Sequence, residues 1–142
     1  DSSVIGVRML GADFRFKRKQ LQIRGELFYS AFANTIEYNA FTKRDLGKSM
    51  LGYYLEVGYD VSKALHMKKK LIPFVRYSEY NTHNSVESGT AVNPSYRNEI
   101  ITAGLGYFLD EAFVIKMDYE HYKNGNDVIV HQINAGLGFW FR

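Results

Sequence analysis

Val128–Phe141 reads VIVHQINAGLGFWF and decides the fold class. Ile129, His131, Ile133, Ala135, Leu137, Phe139 and Phe141 fall on one face. Gln132, Asn134, Gly136, Gly138 and Trp140 fall on the other. A period of two over this length is the mark of a β-strand with unlike faces. This is also the longest run free of Asp, Glu, Lys and Arg, and it is too short for a transmembrane helix, which needs ~18 or more apolar residues.

The same alternation recurs upstream. Phe113, Ile115, Met117 and Tyr119 oppose Lys116, Asp118 and Glu120. Ile101, Ala103, Leu105, Tyr107 and Leu109 oppose Thr102, Gly104 and Gly106. Leu51, Tyr53, Leu55, Val57 and Tyr59 oppose Gly52, Tyr54, Glu56 and Gly58. Leu21, Ile23, Leu27 and Tyr29 oppose Gln22, Arg24, Glu26 and Ser30. Two stretches are less regular. Ala12, Phe14 and Phe16 oppose Asp13, Arg15 and Lys17, but Ile5, Val7 and Met9 have the other parity, which predicts a bulge near Gly11. Leu71–Ser78 is apolar on both faces until Arg76, with Pro73 near its start. Seven antiparallel strands follow, near 4–16, 21–30, 50–61, 71–79, 99–109, 113–122 and 128–141.

Connections alternate in length. Residues 31–49 and 80–98 are long. Residues 17–20 and 110–112 are short, 62–70 has room for one helical turn, and Lys123–Asp127 is a compact Asn-Gly turn. Long loops therefore collect on one rim. No linker divides the chain, so residues 1–142 read as part of a single domain.

Strands of about ten residues with one apolar and one wet face fit a membrane barrel better than a sandwich, whose strands average ~5–6 residues. Aromatic residues make up 15% of the chain, and they sort by height. Tyr29, Tyr53, Tyr77 and Tyr119 lie toward the long-loop rim. Phe16, Tyr59, Tyr107, Phe113, Phe139 and Phe141 lie toward the other. Two rows flanking an aliphatic band are expected where Tyr and Phe meet the two membrane interfaces. Seven strands leave two open edges, costly in lipid. The expectation is a C-terminal portion of a larger transmembrane β-barrel meander, with further strands before Asp1.

Three segments carry a resemblance. They are Gly11–Phe16 (GADFRF) with Leu21–Glu26 (LQIRGE), Leu71–Tyr77 (LIPFVRY) followed by Asn81 and Thr82, and Glu99–Tyr119. Together they resemble the phosphate-selective porin O and P family, in its Bacteroidota-type outer-membrane members. The resemblance implies a barrel of roughly sixteen strands, assembled as a homotrimer in the cell outer membrane. It also implies passive diffusion of small hydrophilic solutes or ions, with phosphate-like anions as the solute class. The final strand resembles the signal read by the outer-membrane assembly machinery, although Arg142 follows the terminal aromatic Phe141.

The wet face carries Arg15, Arg24, Arg76 and Lys116 against Asp13, Glu26, Glu56, Asp118 and Glu120. Arg15, Arg24, Glu26, Glu56, Arg76, Lys116, Asp118 and Glu120 are the candidate pore-lining residues. Their near-balance predicts cross-strand pairing along a wet wall rather than an anion path. Lys68, Lys69 and Lys70 read as a solvated turn. The four histidines have no metal-ligand spacing, and no nucleophile motif points to an enzyme. The chain has no cysteine, so no thiol metal or redox site exists. No cofactor is expected. The net charge of +3 is scattered and gives no nucleic-acid footprint. The expected partners are outer-membrane lipid and small solutes. The rival reading is a structural or adhesive barrel whose long loops bind a partner.

Overall fold

The computed structural model describes residues 4–140. The strands are β1 (Gly6–Arg18), β2 (Leu21–Ala33), β3 (Ser49–Tyr59), β4 (Lys70–Ser85), β5 (Arg97–Phe108), β6 (Phe113–Asn124) and β7 (Ile129–Phe139). They form one antiparallel sheet in sequence order, each strand paired with its neighbours in the chain. That is the meander the alternation predicts. The sheet is open at β1 and β7. Phe141 and Arg142 lie outside the described residues, so the terminal aromatic of the expected signal has no structural counterpart.

Three expectations change. Gly6↔Ala33 runs to Arg18↔Leu21 without a shift in register, so there is no bulge near Gly11. Val7 and Met9 therefore share the face of Asp13 and Arg15. Among the described residues the one irregularity in register lies between Ser49 and Leu51, opposite the end of β4. In the β6–β7 turn the left-handed residue is Asp127, at φ 59°, not the glycine of the Asn-Gly pair. Gly125 is needed for another reason: a Cβ there would collide with the Pro94 carbonyl. Third, β4 continues to Ser85, which carries His83 out of the expected loop and into a strand.

Two short helical segments lie in the long loops. Helix α1 (Thr35–Thr42) fills the β2–β3 loop, and a 3-10 turn at Pro94–Tyr96 precedes β5. Between β3 and β4, the amides of Leu65 and Met67 donate to the carbonyls of Val61 and Ser62, a single turn of helical character.

Burial is inverted relative to a water-soluble sheet. On the polar face Asn98, Thr102, Ile72 and Val114 are buried. On the apolar face Leu55, Val75, Ile101, Met117 and Ile133 are exposed. Among the described residues no second layer covers that face. A single layer buries one side only by curling toward it. Lys17 of β1 and Phe108 of β5, four strands apart, accordingly line one cleft.

Candidate functional site

The polar face is organised in rows set by the pairing register. One row runs Arg15, Arg24, Glu56, Arg76, Thr102, Glu120 and Gln132 across all seven strands. Its centre is an ion triad. Arg76 grips Glu56 through Nε at 3.0 Å and Nη2 at 2.5 Å, and Arg24 Nη1 stands 3.8 Å from the same carboxylate. The Arg76 guanidinium also lies over the Tyr54 ring, 5.1 Å from its centroid, a cation–π contact. Farther along, Thr102 donates to Glu120 at 3.3 Å, and Asn134 donates to Asp118 at 2.8 Å.

Among the described strand residues of the polar face, pairing by sign is confined to that triad. Arg15 lies opposite Arg24, and Asp13 lies opposite Glu26, so the first two strands set like charges face to face, an unfavourable arrangement. Lys116 has glycine on both flanks, Gly106 and Gly136. All eight wet-face candidates thus share one face, but only Arg24, Glu56 and Arg76 meet as ion partners.

The sequence reading misses a cationic cleft at the short-turn rim. Lys17, Gln22 and Arg24 from β1 and β2 face Lys68, Lys69 and Lys70 at the start of β4 across about 580 Å³. Ile72 and Phe108 form the floor, and Asp110 and Glu111 close one end. An adjoining cleft adds Lys19, Lys63 and Asp60. Among the described residues no carboxylate lies within ion-pair distance of Lys17, Lys68, Lys69 or Lys70. Asp60 is held by Ser62, whose amide and hydroxyl donate to Oδ1 at 3.0 and 2.5 Å. Partial burial raises the Asp60 carboxyl pKa, but these bonds and the nearby Lys70 outweigh it and leave it below the ordinary value. A sequence signal for the cleft existed in the basic run 68–70. Its partners at 17 and 24 come near only through strand pairing and curl.

The opposite rim is tied by a different logic. His83 is buried. Its Nε2 lies 2.8 Å from the Asp45 carbonyl, Nδ1 accepts from the Asn93 amide at 3.4 Å, and its ring packs 4.3 Å from Tyr96. Glu87 accepts from Thr35 and Lys48, both at 3.2 Å. The two long loops are thereby fastened to each other.

The apolar face carries the aromatic residues in two diagonals. Tyr29 lies level with Leu51 and Asn81; Tyr53 is two residues and Tyr77 four residues nearer the short-turn rim. The register from Phe16 passes Ile23, Val57, Val75 and Ala103 and lands on Tyr119. Against that line Tyr59 is displaced by two residues, Tyr107 by four and Phe113 by six, all toward the same rim. Phe139 lies opposite Phe113. Above the tyrosines is a charged collar. Tyr53 and Tyr77 hydroxyls donate to Glu79 at 2.7 and 3.1 Å, and Arg97 bridges Glu79 and Glu99 at 2.9 and 3.1 Å.

Among the described residues no group of three or more His, Asp or Glu is placed to hold a metal. His121 and His131 face each other across β6 and β7, with ring centroids 5.1 Å apart, and Tyr119 Oη lies 2.5 Å from His131 Nδ1.

Comparison with known proteins adds one relative. An uncharacterized protein of Aquifex aeolicus (strain VF5) is 32% identical over 100 residues, which is 69% of this chain and 22% of that protein. The chain thus spans about a fifth of the relative it matches. No family model matches the chain. No solved structure matches it either.

Proposed function

We propose that this chain is a section of the wall of an outer-membrane β-barrel channel. Its apolar face meets lipid, and its polar face lines a water-filled path for small hydrophilic solutes. The observation that carries the reading is the slope of the aromatic diagonal nearer the short-turn rim. At ~3.4 Å per residue and ~4.8 Å between strands, six residues over the five steps from β1 to β6 is a slope of about 40°. Membrane barrels tilt their strands by ~35–45°, so a membrane plane crosses such a sheet along just this diagonal. Tyrosine hydroxyls reaching a charged collar suit the water-facing edge of that plane.

The open edges at β1 and β7 are supplied with partners if further strands complete the barrel, as the much longer Aquifex relative allows. On this reading the phosphate-selective porin O and P family is the resemblance of choice, and a homotrimer is the assembly to expect. The cationic cleft at the short-turn mouth adds what the mid-wall charges lack, a local excess of positive charge that favours anions. The test is conductance of the full-length protein in planar bilayers. Stepwise ohmic channels support the reading; a correctly inserted protein that leaves the bilayer silent contradicts it.

A second reading rests on the loop cap around His83. Two long loops fastened together make a defined surface, as an adhesive barrel needs. Deleting residues 87–92 separates the two: a channel keeps its conductance, whereas an adhesin loses its partner.

A further inference from the structure

The short-turn cleft joins two chemistries. One wall is cationic, with Lys17 on β1, Arg24 on β2 and Lys70 at the start of β4. The floor is apolar, made by Ile72 and Phe108. Lys70 lies directly opposite Phe108 in the β4–β5 register, so the two walls meet at one cross-strand pair. Phe108 has Trp140 as an offset stacked neighbour, ring centroids 6.5 Å apart and planes 10° from parallel.

A volume of about 580 Å³ lies in the ~300–1,000 Å³ range of small-molecule sites. The lining holds five cations, Lys68 and Lys69 included, against the carboxylates of Asp110 and Glu111. The Asp110 carboxylate is engaged with the Ala112 amide at 2.7 Å.

We propose that this cleft binds amphiphilic organic anions, carboxylates borne on an aromatic body of one or two rings. The carboxylate meets the lysine wall and the ring lies on Phe108. An inorganic oxyanion uses the cations alone, and a neutral aromatic uses the floor alone. A molecule bearing both groups engages both at once. As a solute subsite the cleft rests on the channel reading above; as a binding site it rests on its own geometry.

Calorimetric titration of the full-length protein in detergent tests this with three probes: 2-naphthoate, inorganic phosphate and the neutral 2-naphthylmethanol. The expected result is 2-naphthoate binding at least roughly tenfold tighter than either of the others. Phe108→Leu keeps apolar volume but removes the ring, and should weaken naphthoate roughly fivefold more than it weakens phosphate. Lys17→Gln with Lys70→Gln should weaken both anions. Equal affinity for naphthoate and phosphate overturns the proposal. So does indifference of naphthoate to Phe108→Leu in a variant that keeps the folded electrophoretic mobility. Planar bilayers separate this from the channel reading. Conductance without naphthoate binding sinks the cleft alone; saturable naphthoate binding in a protein that conducts nothing supports the cleft and sinks the channel.

Discussion

On the apolar face Leu55 and Val75 are 48% and 55% exposed, whereas on the polar face Thr102 and Val114 are 3% and 1% exposed. A water-soluble sheet does the reverse, because burying apolar surface is what drives its folding. Here the central strands bury the polar side, where Glu56 sits between Arg24 and Arg76 and Asn134 donates to Asp118. The apolar side is left uncovered across the full width of the sheet. An uncovered face of this extent needs either a covering partner or a solvent that is itself apolar.

The largest effect should come from placing charge on the uncovered face. Leu105→Arg should cost ~2–4 kcal/mol of folding free energy in lipid, the depth-dependent penalty for arginine near mid-membrane. The matched change on the polar face is Gly136→Gln. A Cβ there meets nothing within 4 Å, so urea titration in vesicles should register under ~1 kcal/mol. Gly104 would be a poor control, because the Phe74 ring occupies the place its side chain would take. Equal costs at positions 105 and 136 would erase the contrast between the faces.

A smaller effect should follow on the polar face itself. Glu56→Gln leaves Arg24 and Arg76 without their shared counter-charge. Both guanidinium groups keep substantial access to water, 42% and 39% of the side chain, so solvent screening limits the loss to about 1 kcal/mol. The same substitution in Arg76→Met should then cost less, since the Arg76–Glu56 pair is already gone and only the 3.8 Å Arg24 contact remains to be lost. Additive losses would mean that the triad is a coincidence of placement.

The smallest effect is one of pH and belongs to the short-turn rim. The Asp60 carboxyl is held below its ordinary value. A depressed carboxylate contributes stability that is complete above its unfolded value of ~4 and is lost as pH falls through the lower folded value. Urea midpoints should therefore decline below about pH 4 in the wild type, and less so in Asp60→Asn. An identical decline in both would remove Asp60 from the account of that turn.

The alternation in residues 101–141 made the strands and their faces legible, because a side chain's face follows directly from the parity of its position. Register followed from the short turns. Parity failed at Val7 and Met9. There the sequence suggested a bulge, and the structure instead keeps the β1–β2 ladder unbroken and places two apolar side chains on the polar face. His83 was hidden because its role depends on Asp45 and Asn93, each in a different loop. The cleft was hidden for a similar reason. Lys17 and Phe108 lie far apart in sequence and on non-adjacent strands, and only the curl of the sheet brings them together. Balanced charge along the strands gave no hint of the imbalance at the rim.

The most direct test of a lipid-facing apolar side is collision accessibility along β6, which is paired on both flanks. The chain contains no cysteine, so spin labels can be placed singly at residues 115 to 120 of the protein in vesicles. The account predicts a two-residue alternation. Labels at Ile115, Met117 and Tyr119 should collide mainly with oxygen dissolved in lipid, and labels at Lys116, Asp118 and Glu120 with a water-soluble nickel chelate. Ready access of the nickel chelate to 115, 117 and 119, or shielding of those positions from both reagents by a covering layer of protein, would contradict it.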